Sequence, residues 1–379
     1  MILRLSLVNL SAYVIRTAAL PPEDPGLFKE QSGVWSYFSA PGKKEEQQAS
    51  LKSDRLKNTY QLSAGSEPLL HEKVNIIREK LELNHLTVTA YKEDHSSGIN
   101  ARLASPGEEA YLVFSEEILQ SLDDRELVAH IAHELAHIQF CSLLDGDLEI
   151  TDRIIMALAG SPDSGASYHE TARLFQLYKE IYCDRAAYGV LGEAGPVITM
   201  LSKRMTELSP GQVEMRTRAL NLWREKGREP LGVNGGAEAT GTKAEAAIAE
   251  MVEGSMELDR LDVLAQAVML EMTRGLLNYC LQPEWIRSSV VLALAREYFS
   301  DLEVVDGTSL PDRFRVFAAG AHQSIREYFA YVLLDLALVD PKLGDKPLGH
   351  ARELAETLGL TSVLEPIIKK ETTYNNDAH

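Results

Sequence analysis

The chain has 379 residues, 45% hydrophobic and 25% charged, which excludes wholesale disorder and makes it too long for one ordinary core. With 38 Lys and Arg against 56 Asp and Glu the net charge is −18, a field that repels a phosphate backbone and argues against nucleic-acid binding. Three scattered cysteines, Cys141, Cys183 and Cys280, make no C-x-x-C pair and no disulfide framework, so the sequence reads as intracellular and cytoplasmic. The longest apolar stretches, near 290–295 and 329–339, fall short of the ~20 residues of a spanning helix, and Asn9, Ser11 and Arg16 break any signal-peptide core.

In chain order, residues 1–60 read as a partly extended appendage punctuated by Pro21-Pro22, Pro25-Gly26 and Pro41-Gly42. The spacing of Leu70, Val74, Ile77 and Leu81 predicts an amphipathic helix over 69–83. Short β-rich runs at 86–91 and 110–114, with a third strand at 100–103 before the turn Ser105-Pro106-Gly107, predict a small sheet. A long helix is expected after Ser121, which reads as its cap, with acidic residues at the positive dipole end, and Asp145-Gly146-Asp147 reads as its stop. A second long helix starts near Ser167, where Glu170 completes an S-x-x-E box, and runs to about Leu191 before Gly192. The Gly-, Ala- and Thr-rich stretch 232–243 reads as a linker. The expected domains are therefore 61–231, α+β and mostly helical with a small sheet, and 244–379, all-α, with helices at 261–277, 290–302, 325–339 and 351–358.

The chemistry is concentrated in His133-Glu134-Leu135-Ala136-His137, an H-E-x-x-H. On a helix, positions i and i+4 lie ~40° apart and ~6 Å along the axis, so both imidazoles converge on one point, as two Zn–N bonds of ~2.0–2.1 Å require. Glu134 is placed to flank the ion and take a proton from a water that it acidifies, as a general base. On the second helix Glu180 and Asp184 form an E-x-x-x-D pair on one face. It supplies one carboxylate as third ligand and another to hold an imidazole N–H.

At these residues the chain resembles the M48 family of zinc metallopeptidases, a gluzincin family, over roughly 65–225. The resemblance implies one Zn2+ per chain on His133, His137 and Glu180, Glu134 as general base and Asp184 behind the ligands. It also implies an endopeptidase that takes extended polypeptide by strand addition, with Asn100 and Ala101 leading into the substrate-binding edge strand. Membrane-bound relatives carry transmembrane helices around the motif; their absence here implies a soluble branch. Where many relatives have a His-Pro pair, this chain has Ser209-Pro210, so that histidine's role does not carry over. Arg216 on the following helix could polarise the oxyanion; the alternative is a surface or structural ion pair. Cys183 stands where many relatives carry Ala.

Four further residues have blander readings. His130 shares a helix face with His137 but reads as a hydrogen-bonded helix histidine, Cys141 as a small buried thiol, and Tyr168 and His169 as capping-region residues. The C-terminal half faintly resembles TerB-like helical modules of tellurite-resistance proteins, which implies partner or metal binding through Asp335, Asp340 and Asp345. Solvated turn acids are the alternative. The reading is a zinc endopeptidase acting on poorly folded polypeptide, with a protein partner through the C-terminal helices. Its rival is a catalytically silent scaffold with a structural zinc.

Overall fold

The structure is a computed structural model that describes residues 32–40, 59–93, 101–104, 109–162, 164–204, 208–226, 243–253, 257–305 and 310–376. Asn100, the turn at 105–107, most of the N-terminal appendage and the expected linker up to 242 lie outside them. The chain is mostly helical with one small sheet, and it divides into two compact units: residues 1–164 with 171–250, and residues 165–170 with 251–379.

The first unit opens with α1 (Ser32–Ser39) and β1 (Thr59–Leu62), then α2 (Pro68–Lys80), β2 (Thr87–Glu93), β3 (Ala101–Ala104) and β4 (Glu109–Phe114). The sheet order is β1-β2-β4-β3, so the expected three strands gain a fourth at one edge. β2 runs parallel to β4, with Ala90 opposite Leu112, while β1 and β3 are antiparallel edges. All of β4 except Glu109 is buried, the pattern of a central strand covered on both faces. Then come α3 (Glu116–Ser121), α4 (Asp124–Ser142), α5 (Asp147–Ala159), α6 (Ala166–Leu191, of which 166–170 group with the second unit), α7 (Gly195–Lys203), α8 (Pro210–Lys226) and α9 (Lys243–Glu253). α4 is the central helix, with α2, α5, α7 and β3 against it.

Two local expectations are corrected. Ser121 closes α3; the cap of α4 is Asp123, whose side chain accepts from the N–H groups of Arg125 and Glu126 while Glu126 accepts from the Asp123 N–H. That reciprocal pair is the D-x-x-E form of the capping box. Asp145-Gly146-Asp147 likewise stops one helix only to start another. Gly146, at φ +88°, turns the chain through the left-handed region, and Asp147 begins α5, which buries Leu148, Thr151, Ile154 and Ile155 on one face.

The second unit contains α10 (Val263–Cys280), α11 (Ser289–Tyr298), α12 (Pro311–Gly320), α13 (Gln323–Leu338), α14 (Lys346–Leu358) and α15 (Thr361–Asn376) around a core that includes Leu276, Phe314, Phe329, Leu333 and Leu358. The division at 250 falls inside α9 and not before 244, because Glu245 of α9 is buried with the first unit and pairs with Arg185 of α6 at 3.3 Å. Among the described residues no single helix is long and apolar enough to cross a membrane.

Candidate metal centre

Helices α4 and α6 build the site, and their packing sets its register. Phe140 of α4 lies edge-on to Phe175 and Tyr182 of α6, with ring centroids 6.0 and 5.6 Å away. The Tyr182 hydroxyl donates to Oε1 of Gln139 at 3.0 Å, and the Gln139 amide donates to the Leu81 carbonyl at 2.9 Å. These buried partners fix α6 along α4, so that the i, i+4 pair Glu180 and Asp184 faces the i, i+4 pair His133 and His137. Gly192, at φ +77°, ends α6 by donating to the Tyr188 carbonyl.

His133, His137 and Glu180 offer donor atoms within 4.8 Å of one another, and among the described residues they are the group of His, Cys, Asp or Glu that could hold a metal ion. Nε2 of His133 lies 3.3 Å from Glu180 Oε2, and Nε2 of His137 lies 3.6 Å from Oε1. The two rings are nearly perpendicular, at 89°, with centroids 5.0 Å apart. A tetrahedral ion with bonds of ~2.0–2.1 Å needs donors roughly 3.3–3.4 Å apart. The two imidazoles approach different oxygens of Glu180 and the three donors lie within 4.8 Å, so gathering them about one ion takes side-chain adjustment. His133 is buried, whereas the side chains of His137 and Glu180 keep 21% and 29% exposure, which opens the cluster on one side.

Asp184 stands behind the cluster, its Oδ1 3.0 Å from His133 Nδ1, close enough to orient that imidazole. Burial lowers the affinity of His133 for a proton, but Asp184 and Glu180 outweigh it and push the pKa up to about 9. Burial and the nearby His133 push His137 down to about 3, so it presents a free lone pair. Burial opposes ionisation of Glu180 as well, yet His133 and Arg216 hold it well below the usual carboxylate range. Asp184 and Glu180 thus favour positive charge on His133, while burial and that neighbour disfavour it on His137.

Arg216, left between oxyanion donor and ion pair by the sequence, is ion-paired to two carboxylates of the site. It is 2% exposed, and its Nε and Nη2 donate to Asp184 Oδ2 and Oδ1, both at 2.7 Å, while Nη1 lies 2.8 Å from Glu180 Oε2. All three guanidinium nitrogens are committed to carboxylates, so its role is to hold the ligand helix in place rather than to polarise an oxyanion. It is a structural ion pair, and a buried one. Arg185, next to Asp184, is turned away from the cluster: it stacks on Trp223 at 4.1 Å and pairs with Glu245.

Glu134 sits beside the ligands, buried, and burial raises its pKa. Its Oε1 faces two groups, Nη1 of Arg204 at 3.7 Å and Nε2 of His130 at 3.9 Å. His130 and Cys141 are outside the donor group, and His130 is not the hydrogen-bonded histidine expected, since neither ring nitrogen has a hydrogen-bond partner. Cys183, to which no role was given, is fully buried with Sγ 3.3 Å from His137 Nδ1. Cys183 has no sequence signal beyond its place between Glu180 and Asp184, and Arg204 has none. Tyr168 and His169 lie in the first turn of α6, with His169 roughly 16 Å along the axis from Glu180. Ala101 begins the edge strand β3, and Asn100 lies outside the described residues.

In the second unit, Asp335, Asp340 and Asp345 are not gathered into a metal-holding group. Asp340 caps the turn at 341–343 by accepting from the Lys342 N–H, and Asp335 accepts from the Tyr298 hydroxyl. Comparison with protein-family models, with curated proteins and with solved structures gives no match to this chain.

Proposed function

We propose that the chain is a zinc-dependent endopeptidase that hydrolyses peptide bonds in extended or poorly folded polypeptide, with a catalytic unit of gluzincin type. The observation that carries this reading is the convergence of His133, His137 and Glu180 from two helices, with Glu134 beside them and Asp184 behind. Two imidazoles and one carboxylate are the donor set of a hydrolytic zinc site, and among the described residues no fourth His, Cys, Asp or Glu joins them, whereas structural sites close with four protein ligands. Zinc, when bound, supplies a Lewis acid that polarises a carbonyl and lowers the pKa of water toward ~7.

The chain's own residues then divide the work. Glu134 accepts the proton of the attacking water and passes it to the leaving amine. Asp184 fixes the ring of His133 through Nδ1, and Arg216 fixes Asp184 and Glu180 together. The edge strand β3 offers unpaired backbone groups on which extended substrate can align. The partly exposed face of His137 and Glu180 is the side from which substrate reaches the cluster.

Glu134→Gln tests the reading. The variant should retain one zinc per chain by metal analysis and lose about 10²–10⁴-fold in casein cleavage, the usual contribution of a positioned base. Cleavage at the wild-type rate would remove Glu134 from its role.

A further inference from the structure

His130 is one of several side chains in the first unit with a buried polar atom that lacks a hydrogen-bond partner, Thr151 Oγ1 and Arg78 Nε being others, and it is the one for which both ring nitrogens lack one. It is fully buried at the centre of α4, yet neither Nδ1 nor Nε2 has a hydrogen-bond partner. An apolar side chain would fill the same space without stripping water from two ring nitrogens, so an imidazole here is costly to stability unless it acts on something. The group within reach is Glu134, one turn further on, whose Oε1 lies 3.9 Å from His130 Nε2. Arg204, at the C-terminal end of α7, places Nη1 3.7 Å from the same oxygen. Two donors from different helices thus face one oxygen of the carboxylate, each about an ångström beyond hydrogen-bond distance, a gap that a small rotation of Glu134 closes.

We infer that His130 is a positioning residue: its Nε2–H, together with the Arg204 guanidinium, holds Oε1 of Glu134 and leaves Oε2 to face the reacting water. The inference rests on the peptidase reading for what Glu134 does, but not for the contact itself. Burial, and then the charge of Arg204, push the His130 pKa well below the ordinary histidine range, so the ring is neutral and has a single N–H to give. That hydrogen placed on Nε2 meets the carboxylate; placed on Nδ1 it would meet nothing. Catalytic hydrogen bonds that are long in the free enzyme and shorten around substrate are common among general bases.

Two experiments decide the matter. In 15N-histidine-labelled wild-type protein, long-range nitrogen–proton correlation should show His130 as the neutral Nε2–H tautomer; the Nδ1–H tautomer would overturn the inference. In the zinc-loaded enzyme cleaving a quenched casein peptide, His130→Leu should lower kcat about tenfold, with KM, zinc content and unfolding midpoint held or the midpoint raised. His130→Gln, whose amide nitrogen reaches the same point as Nε2, should return kcat to within about threefold of wild type. A leucine variant with wild-type kcat, or a folded glutamine variant as slow as the leucine one, would also overturn it. An inert wild-type enzyme whose His130 is the Nε2–H tautomer would sink the peptidase reading and leave the contact standing.

Discussion

Replacing Arg216 with Met should be among the most damaging single changes in the first unit. The guanidinium makes two donations to Asp184 at 2.7 Å and one ion pair to Glu180 at 2.8 Å, from a side chain that is 2% exposed. Methionine keeps much of the apolar stem but leaves Asp184, itself 1% exposed, without its cation. Removing one partner of a buried pair costs about 3–5 kcal/mol, mostly the penalty of the stranded charge. For a unit of this size each kcal/mol moves the midpoint by ~2–4 °C, so the shift should be roughly 6–20 °C. Thermal unfolding followed by tryptophan fluorescence in a Trp285→Phe background reads the first unit, where Trp35 and Trp223 lie. Adding Asp184→Asn should recover part of the loss, with a coupling of about 1–3 kcal/mol in the double-mutant cycle. Arg216→Lys should fall between, since it keeps the charge and loses the fork. An Arg216→Met midpoint within about 2 °C of wild type would refute the assignment of this residue as the tie between two buried carboxylates.

Glu180→Gln should lower zinc affinity about 10–100-fold in a competition titration with a chelating dye; unchanged affinity would remove Glu180 from the ligand set. Glu245→Gln should destabilise the first unit by about 3–5 kcal/mol in urea, because it leaves Arg185 buried against Trp223 with no carboxylate at 3.3 Å. In the second unit the Ser288 hydroxyl and the Lys342 N–H hold Asp340 below the usual carboxylate range, so its contribution exists above the unfolded pKa and disappears as pH falls through the lower folded value. Asp340→Asn should therefore be less stable than wild type at pH 7, and the two urea midpoints should converge on acidification below about pH 4. A gap that stays constant with pH would show that the carboxylate's charge is irrelevant there.

The candidate metal cluster is readable in the sequence because helical spacing is geometry: i, i+4 pairs on two helices need only be brought face to face, and His133, His137, Glu180 and Asp184 are. What surrounds them was not readable, because it depends on tertiary burial. Nothing local distinguishes Arg216, which holds two carboxylates, from Arg218 on the same helix, and the ambiguity between oxyanion donor and ion pair ended only with three distances. By sequence His130 reads as a satisfied helix histidine; its lack of a partner is a property of the neighbours and not of the sequence. Helix α5 carries its own sequence signal in the helical spacing of Leu148, Thr151, Ile154 and Ile155, and Gly146 serves both as the end of one helix and the beginning of the next. The cap of α4 was similarly decided by Glu126, which completes a box with Asp123 and not with Ser121.

The thiols give the molecule a built-in clock. Cys183, beside His137, has no accessible surface, and Cys280 in the second unit is 2% exposed, with burial pushing both thiols up. Alkylating reagents attack only exposed thiolates, so each sulfur is protected for as long as its surroundings stay shut. Cys141, partly accessible in the same helix as the H-E-x-x-H pair, supplies the fast baseline. Mass-resolved iodoacetamide labelling then times breathing around the cluster separately from breathing in the helical second unit, in one tube and with native residues. Slower modification of Cys183 on adding zinc would measure in seconds how far the ion clamps the two helices that present its ligands.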